Sequence, residues 1–231
     1  MGYHESLTEG RNAVLEAFRS GKTVDRLFVL DGCQDGPVKT ILREAKKQDT
    51  MVQYVKKERL DQLSETKNHQ GVIAYCAACE YAEVSDILEN AKKKGEAPFI
   101  VLLDGIEDPH NLGAIIRTAN QAGAHGVIIP KRRAVGLTAT VARTSAGAVN
   151  YTPVAKVTNL VTVMEDLKKE GMWFVCADMD GEEMYSLNLK GPIGLVIGNE
   201  GEGVSRLVKE HCDMVASIPM KGDIDSLNAS V

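Results

Sequence analysis

FIVLLDGIEDPHNLGAIIRTANQAGAHGVIIP, residues 99–130, carries the pattern that decides the fold. An unbroken apolar run, FIVLLD, is followed by a Gly and an Asp-Pro pair, and then by Leu112, Ile115, Ile116 and Ala119 at helical spacing. Asp108 stands where an N-cap belongs, Pro109 where the first helical residue belongs, and Gly123 closes the run before a second apolar stretch, GVIIP. Apolar runs without alternation are what a parallel sheet covered on both faces requires. The stretch therefore predicts strand, helix and strand, with Asn111 in the helix's first turn beside the carboxyl end of the first strand.

The same pattern continues outward. WFVCAD (173–178), GLVIG (194–198) and MVASIP (214–219) are further apolar runs, with helical segments between most of them, so residues 99–231 are expected to form one α/β domain. Before it, a helix at about 10–19, the strand RLFVL, a helix at about 37–48, the strand MVQYV, a short helix near 57–63 and the strand GVIAY read as a small alternating α/β unit over 1–78. Residues 79–98, amphipathic and Lys-rich with a Gly-Glu-Ala-Pro break, read as a linker.

Composition narrows the class. Of 231 residues, 44% are apolar, 26% charged and 5% aromatic, which is ordinary globular usage. The N-terminus lacks a signal-peptide core and no segment approaches the roughly 20 apolar residues of a spanning helix, so a cytoplasmic protein without a membrane partner is expected. Five scattered cysteines suit free thiols in a reducing compartment. Cys76 and Cys79 form a C-x-x-C pair, but it follows a strand and lacks two further ligands, so no metal is expected. The net charge of −5 excludes a bulk electrostatic grip on nucleic acid. Any such grip must be local, and Lys131, Arg132, Arg133 and Arg143 within PKRRAVGLTATVARTSAGA (130–148) are the candidates, a solvated loop being the alternative.

Three segments could carry chemistry. On the helix from Pro109, the residues Asn111, Gly113, Arg117, Asn120 and Gln121 fall off the apolar stripe. Open α/β sheets bind ligands at the carboxyl ends of their strands, and Arg117 offers a charged fork suited to a phosphate or to an oxygen gaining negative charge. An ordinary surface Arg is the competing reading. The second segment, GLVIGNEGEGVSRLV (194–208), leads a strand into a Gly-rich turn and a helix with Val204, Leu207 and Val208 on one side. Its glycines allow close backbone approach, yet it is neither a phosphate loop, since Val204 and Ser205 follow Gly203 where Lys and Ser or Thr are required, nor a dinucleotide fingerprint, whose spacing it misses. Glu200 and Glu202 suit a nucleoside with a positive centre better than a phosphate; a tight strand-to-helix turn is the plainer alternative. The third, SIPMKGDIDSLNASV (217–231), is dense in small polar residues, with Ser226, Leu227 and Asn228 resembling a helix start.

Together the three segments resemble the SPOUT superfamily, in its TrmH/SpoU branch of RNA ribose 2'-O-methyltransferases. The first motif is matched by Asn111, Leu112, Gly113, Arg117 and Ala119, the second by Gly198, Asn199, Glu200, Gly201 and Gly203, and the third by Ile218, Pro219, Met220, Ser226, Leu227 and Asn228. SAGA at 145–148 also looks like the family, and GRNAVLEAF (10–18) with NHQGVIA (68–74) resembles the ends of the small, ribosomal-protein-like substrate-binding domain often fused ahead of it. Within the branch the likeness is nearest to bacterial enzymes that methylate a guanosine ribose of 23S ribosomal RNA, with tRNA guanosine enzymes next.

The resemblance implies a trefoil-knotted, parallel-sheet catalytic domain, a homodimer with sites at its interface, S-adenosylmethionine as cofactor and RNA as partner. It assigns catalysis to Arg117, Asn111, Glu200, Ser226 and Asn228, and the cofactor to Gly198, Ile218 and Leu227, with Ile197, Asn199, Gly201, Met220 and Ser145 beside them. RNA contacts fall to Arg11, Asn12, His69, Gln70, Arg132, Arg133 and Arg143. The family continues past SLNAS with a long amphipathic helix, so a longer chain than the one ending at Val231 is expected. A non-catalytic RNA-binding protein of the same fold is the alternative from another class, disfavoured because the motif residues are all present. A nucleotide hydrolase is disfavoured by the missing phosphate-loop Lys.

Overall fold

A computed structural model describes residues 6–223 and 226–231, and it divides into two compact units, one running to Glu80 and taking in Gly136–Ala139, the other comprising Tyr81–Val135 and the chain from Thr140 on.

The first unit runs β1 (Ser6–Glu9), α1 (Arg11–Arg19), β2 (Val24–Leu30), α2 (Gly36–Lys47), β3 (Met51–Val55), α3 (Lys57–Leu63) and β4 (Val72–Cys76). Its sheet has the order β1-β4-β2-β3, with β2 and β3 parallel and β4 antiparallel to β1 and β2. The polar stretch SLTE carries no strand signal; it becomes β1 only by pairing with β4. Alternation along β2 gives each face its own core: Leu27 and Val29 with Val14, Val38 and Ile41 on one side, Phe28 with Leu60 and Ile73 on the other.

The second unit runs α4 (Val84–Lys94), β5 (Phe99–Asp104), α5 (Pro109–Gln121), β6 (Gly126–Pro130), α6 (Ala139–Thr144), β7 (Val154–Val157), α7 (Leu160–Lys169), β8 (Trp173–Glu183), β9 (Ile193–Gly198), α8 (Arg206–Glu210) and β10 (Met214–Ser217). All six strands are parallel, in the order β10-β8-β9-β5-β6-β7. From β5 the chain winds out through β6 and β7, crosses to β8 and returns to insert β9 against β5. The carboxyl ends of β5 and β9 thus meet where the winding reverses, the place at which open α/β sheets form a ligand crevice. The stretch read as a linker carries α4, whose Ile87 and Ala91 are buried; Ile87 sits so close to Gly126 that a Cβ there would meet it at 2.5 Å. The edge strand β7, only VAKV, escapes the apolar-run pattern. Val204, ahead of α8, and Val208 on it are buried as expected, but Leu207 is 56% exposed.

Among the described residues, no helix is long and apolar enough to cross a membrane, all five cysteines are free thiols, and no His, Cys, Asp and Glu cluster could hold a metal.

An ion pair ties α8 to the strand beside it. Lys209 Nζ lies 2.8 Å from Asp178 Oδ2, and this bond holds the Asp178 carboxyl below the usual carboxylate range despite its burial, while Asp178 holds the Lys209 ammonium above its own. A carboxyl depressed by folding stabilises above its unfolded value, near 3.9, and that contribution is lost as pH falls through the lower folded value. Asp178→Asn is expected to lower Tm at pH 7 by about 2–4 °C and to flatten the loss of stability below about pH 4, as read by thermal melts across pH.

Candidate active site

The crest above β5 and β9 is assembled by main chain. Asp104 pairs with Gly198 in the parallel ladder, so the two chains leave the sheet side by side. After β5, Gly105 turns with φ 83°, and Asp108 accepts the His110 N–H (3.0 Å) to open α5 as an N-cap followed by Pro109. Leu112, Ile115, Ile116 and Ala119 bury one side of this helix. Gly113, which the sequence pattern leaves off that side, is buried too: a Cβ there would meet Thr144 Oγ1 at 1.8 Å, so the bare backbone of α5 packs on the Thr144 side chain at the end of α6.

After β9 the chain folds back on itself. Asn199 N–H donates to the Gly203 carbonyl (3.1 Å) and Gly203 N–H to the Asn199 carbonyl (2.8 Å), closing a five-residue loop whose last member takes φ 69°. The Asn199 side chain fills it, with Oδ1 accepting N–H groups from Gly201 (2.7 Å) and Glu202 (3.3 Å) and Nδ2 donating to the Gly105 carbonyl (2.9 Å). At Gly198 a Cβ would lie 2.1 Å from the Gly203 carbonyl carbon, so the fold-back excludes every side chain there. From this loop Glu200 reaches α5, where Asn111 Nδ2 donates to its Oε1.

The remaining candidates are placed less uniformly. Ile197 is half-buried at the end of β9. Arg117 is exposed, six residues along α5 from Asn111 and so about 9 Å further up its axis, and it makes no hydrogen bond or ion pair to the described residues. Ser145 is fully buried, its Oγ donating to the Ala142 carbonyl (3.0 Å); it packs α6 on α5 and presents no side chain outward. Ile218, Met220 and Leu227 are exposed, as are Ser226 and Asn228. Asn228 Oδ1 accepts the Ser230 N–H (2.9 Å) and its carbonyl accepts from Val231, bonds common to an Asx turn and to the capped start of a helix. Among the described residues, no hydrogen bond joins Ser226 or Asn228 to Arg117 or Glu200.

The first unit uses its candidates largely on itself. Arg11 donates through its backbone N–H to Gln70 Oε1 (3.1 Å) and through Nε to the Gln70 carbonyl (3.0 Å), and its Nη2 lies 2.6 Å from Asp35 Oδ2. His69 is buried; its Nδ1 accepts the Gly71 N–H (3.0 Å), which leaves Nε2 to donate to Asp61 (3.1 Å). These bonds hold Gln70 at φ 52°, and of the four candidates only Asn12 is an exposed side chain without such a bond. In the second unit Arg132, Arg133 and Arg143 are all exposed; Arg133 has φ 54°, and Arg143 Nη2 donates to Thr140 Oγ1 (3.2 Å). Sequence reasoning missed Asp104, whose Oδ2 accepts the Ser205 N–H at 2.8 Å. A carboxylate ending the apolar run FIVLLD was the available signal.

Comparison with known proteins identifies the family. Residues 98–231 match the model of the SpoU rRNA Methylase family, and residues 7–82 match that of RNA 2'-O ribose methyltransferase substrate binding. The chain is 49% identical over 224 residues to YacO of Bacillus subtilis (strain 168), assigned to the TrmH family of tRNA/rRNA methyltransferases, covering 96% of this chain and 89% of that one. A TrmH family protein of Staphylococcus haemolyticus (strain JCSC1435) is 46% identical over 223 residues, covering 96% and 89%. Among solved structures, the SpoU methyltransferase AviRb of Streptomyces viridochromogenes, in complex with the cofactor AdoMet, superposes with a TM-score of 0.59 at 26% identity, covering 98% of this chain and 85% of that one. A catalytic-family match over more than half the chain, a substrate-binding match over most of the rest and relatives of this identity place the protein in the SpoU/TrmH family of RNA methyltransferases.

Proposed function

We propose that the chain transfers a methyl group from S-adenosylmethionine to a ribose 2'-hydroxyl of RNA, with a guanosine of 23S ribosomal RNA as the substrate. The observation that carries this reading is the Gly198–Gly203 loop, closed on itself at the β5/β9 crest and joined to α5 through Asn111 and Glu200. The loop fits the cofactor's chemistry: bare backbone at Gly198 allows close approach, and the carboxylates of Glu200 and Glu202 suit a cationic sulfonium and would repel a phosphate.

When bound, S-adenosylmethionine supplies an electrophilic methyl group. Gly198, Ile218 and Leu227 hold the adenosyl part by main chain, flanked by Ile197, Asn199, Gly201 and Met220, while Ser145 acts only through the packing of α6. Displacement needs the ribose oxygen, methyl carbon and sulfur in line, so the protein's task is alignment. Arg117 docks the neighbouring phosphate and polarises the ribose oxygen; a guanidinium is a poor proton acceptor, so it is not the base. Asn111 fixes Glu200, and Glu200 with Ser226 and Asn228 orients the substrate and helps the hydroxyl proton leave. Arg132, Arg133 and Arg143 supply phosphate contacts. In the first unit Asn12 faces the RNA, and Arg11, His69 and Gln70 shape the loops around it. The functional form is a cytoplasmic homodimer with a trefoil-knotted catalytic domain, in which a second copy completes the site around Arg117.

Labelled methyl transfer to total RNA from cells lacking the protein, followed by mapping of the labelled ribose, tests this. Label on a 23S guanosine 2'-oxygen is expected. Label in tRNA would replace the substrate assignment, and no transfer would favour a non-catalytic RNA-binding protein.

A further inference from the structure

We propose that Asp104 is a positioning residue for the reaction: its carboxylate holds the Gly-rich loop in the shape that binds the cofactor. The inference rests on the cofactor reading of that loop. Asp104 is the last residue of β5, half-buried, and level in the ladder with Gly198, where the loop begins. Its Oδ2 accepts the N–H of Ser205, two residues past the Gly203 that closes the loop and the N-cap of α8. Ser205 makes no side-chain cap of its own, and the carboxylate of another strand fixes its backbone N–H just ahead of the helix.

The residue after Asp104 holds the other end. Gly105 gives its carbonyl to Asn199 Nδ2, and the two backbones are close enough that a Cβ at Gly105 would meet Asn199 Cβ at 3.3 Å. Asp104 and Gly105 therefore clamp the loop at both ends, while Asn199, with both polar side-chain atoms engaged, braces it from inside. A loop holding Gly201 and Gly203 has many alternative conformations, and only tethers of this kind select one. The clamp also fixes the base of Glu200, whose carboxylate is held at its tip by Asn111.

The role assigned to Asp104 is that of a hydrogen-bond acceptor, which an amide oxygen can replace. Three variants of the full chain separate it from a charge acting on the sulfonium. Asp104→Ala is expected to raise the calorimetric Kd and the KM for S-adenosylmethionine about 10-fold or more, with turnover at saturating cofactor and the KM for RNA within about threefold of the parent. Asp104→Asn is expected to stay within about threefold in all of these. Ser205→Pro removes the donor at a φ of −58° that proline adopts, but its ring carbon takes the place of the N–H against the Asp104 carboxylate, so it is expected to lose at least as much as Asp104→Ala, with the double variant, where that carboxylate is gone, no worse than either single. Normal cofactor affinity in Asp104→Ala, Asp104→Asn as weak as the alanine variant, or losses that multiply in the double variant would each overturn the proposal. Should Asp104→Ala fail to fold, Asp104→Asn and the near-isosteric Asp104→Leu, which lacks an acceptor, decide: affinity normal in the first and lost in the second supports it, any other pairing refutes it. Failure of the parent protein to bind S-adenosylmethionine would refute the proposed function itself, a different outcome from a parent that binds and variants that bind equally.

Discussion

Arg117→Lys is expected to bind S-adenosylmethionine within about twofold of the parent and to transfer methyl groups about 100-fold more slowly or worse, the size of loss seen when one oriented donor to a reacting oxygen is removed. The expectation follows from where α5 puts the residue. The helix is set by its Asp108 cap, by the burial of Leu112, Ile115, Ile116 and Ala119, and by the bare contact of Gly113 with α6, so Arg117 leaves a rigid element. Its guanidinium is exposed and unpaired among the described residues, so no protein contact explains its charge there. Lysine keeps that charge but replaces a planar fork with a single point, which is not conservative where a phosphate and a ribose oxygen are held together. Calorimetry of cofactor binding, set beside labelled methyl incorporation, separates the two effects. Near-normal turnover in Arg117→Lys would sink the assignment.

Gly198→Ala should abolish cofactor binding at working concentrations, a loss of about 100-fold or more, and lower Tm by about 3–10 °C, as overpacking against rigid neighbours costs about 1–3 kcal/mol. The added Cβ would lie 2.1 Å from the Gly203 carbonyl carbon, 2.2 Å from the Val204 nitrogen and 2.3 Å from the Gly203 oxygen. All three are backbone atoms, so no rotamer change relieves the clash. The loop must open, which breaks the Asn199 and Gly203 pair and pulls Ser205 from Asp104. Gly201 is the internal comparison: its Cβ would meet only Asn199 Oδ1, at 3.4 Å, so Gly201→Ala should melt within about 2 °C of the parent. Equal melting temperatures and equal cofactor affinities for Gly198→Ala and the parent would refute this account of the loop.

Most of the fold was legible in residues whose signal is local. FIVLLD, GVIIP and GLVIG become β5, β6 and β9 because a strand buried on both faces needs apolar residues without alternation. Asp108 and Pro109 announced α5 because capping is a short-range bond between a side chain and a nearby N–H. Where the deciding contact is distant, the pattern was silent or misleading. SLTE is a strand only because β4 lies beside it, and the Lys-rich stretch before β5 is a packed helix only because Gly126 leaves room for Ile87.

For the site, the sequence by itself determined which residue types were present and in what order: Asn111 and Arg117 on one helix, the glycines and Glu200 after one strand, and the small polar residues near Ser226. Only the tertiary structure decided which of them meet. Inserting β9 beside β5 brings together residues 89 positions apart, so that Asn111 donates to Glu200, and residues 101 apart, so that Asp104 accepts the Ser205 N–H. Packing within each unit buries Ser145 and His69 and pairs the half-exposed Arg11 with Asp35, which no local pattern announces. The physical reason is range. Periodicity and capping act over a few residues and can be read along the chain, whereas strand order and the close contacts at Gly113 and Gly198 exist only once distant segments are packed together.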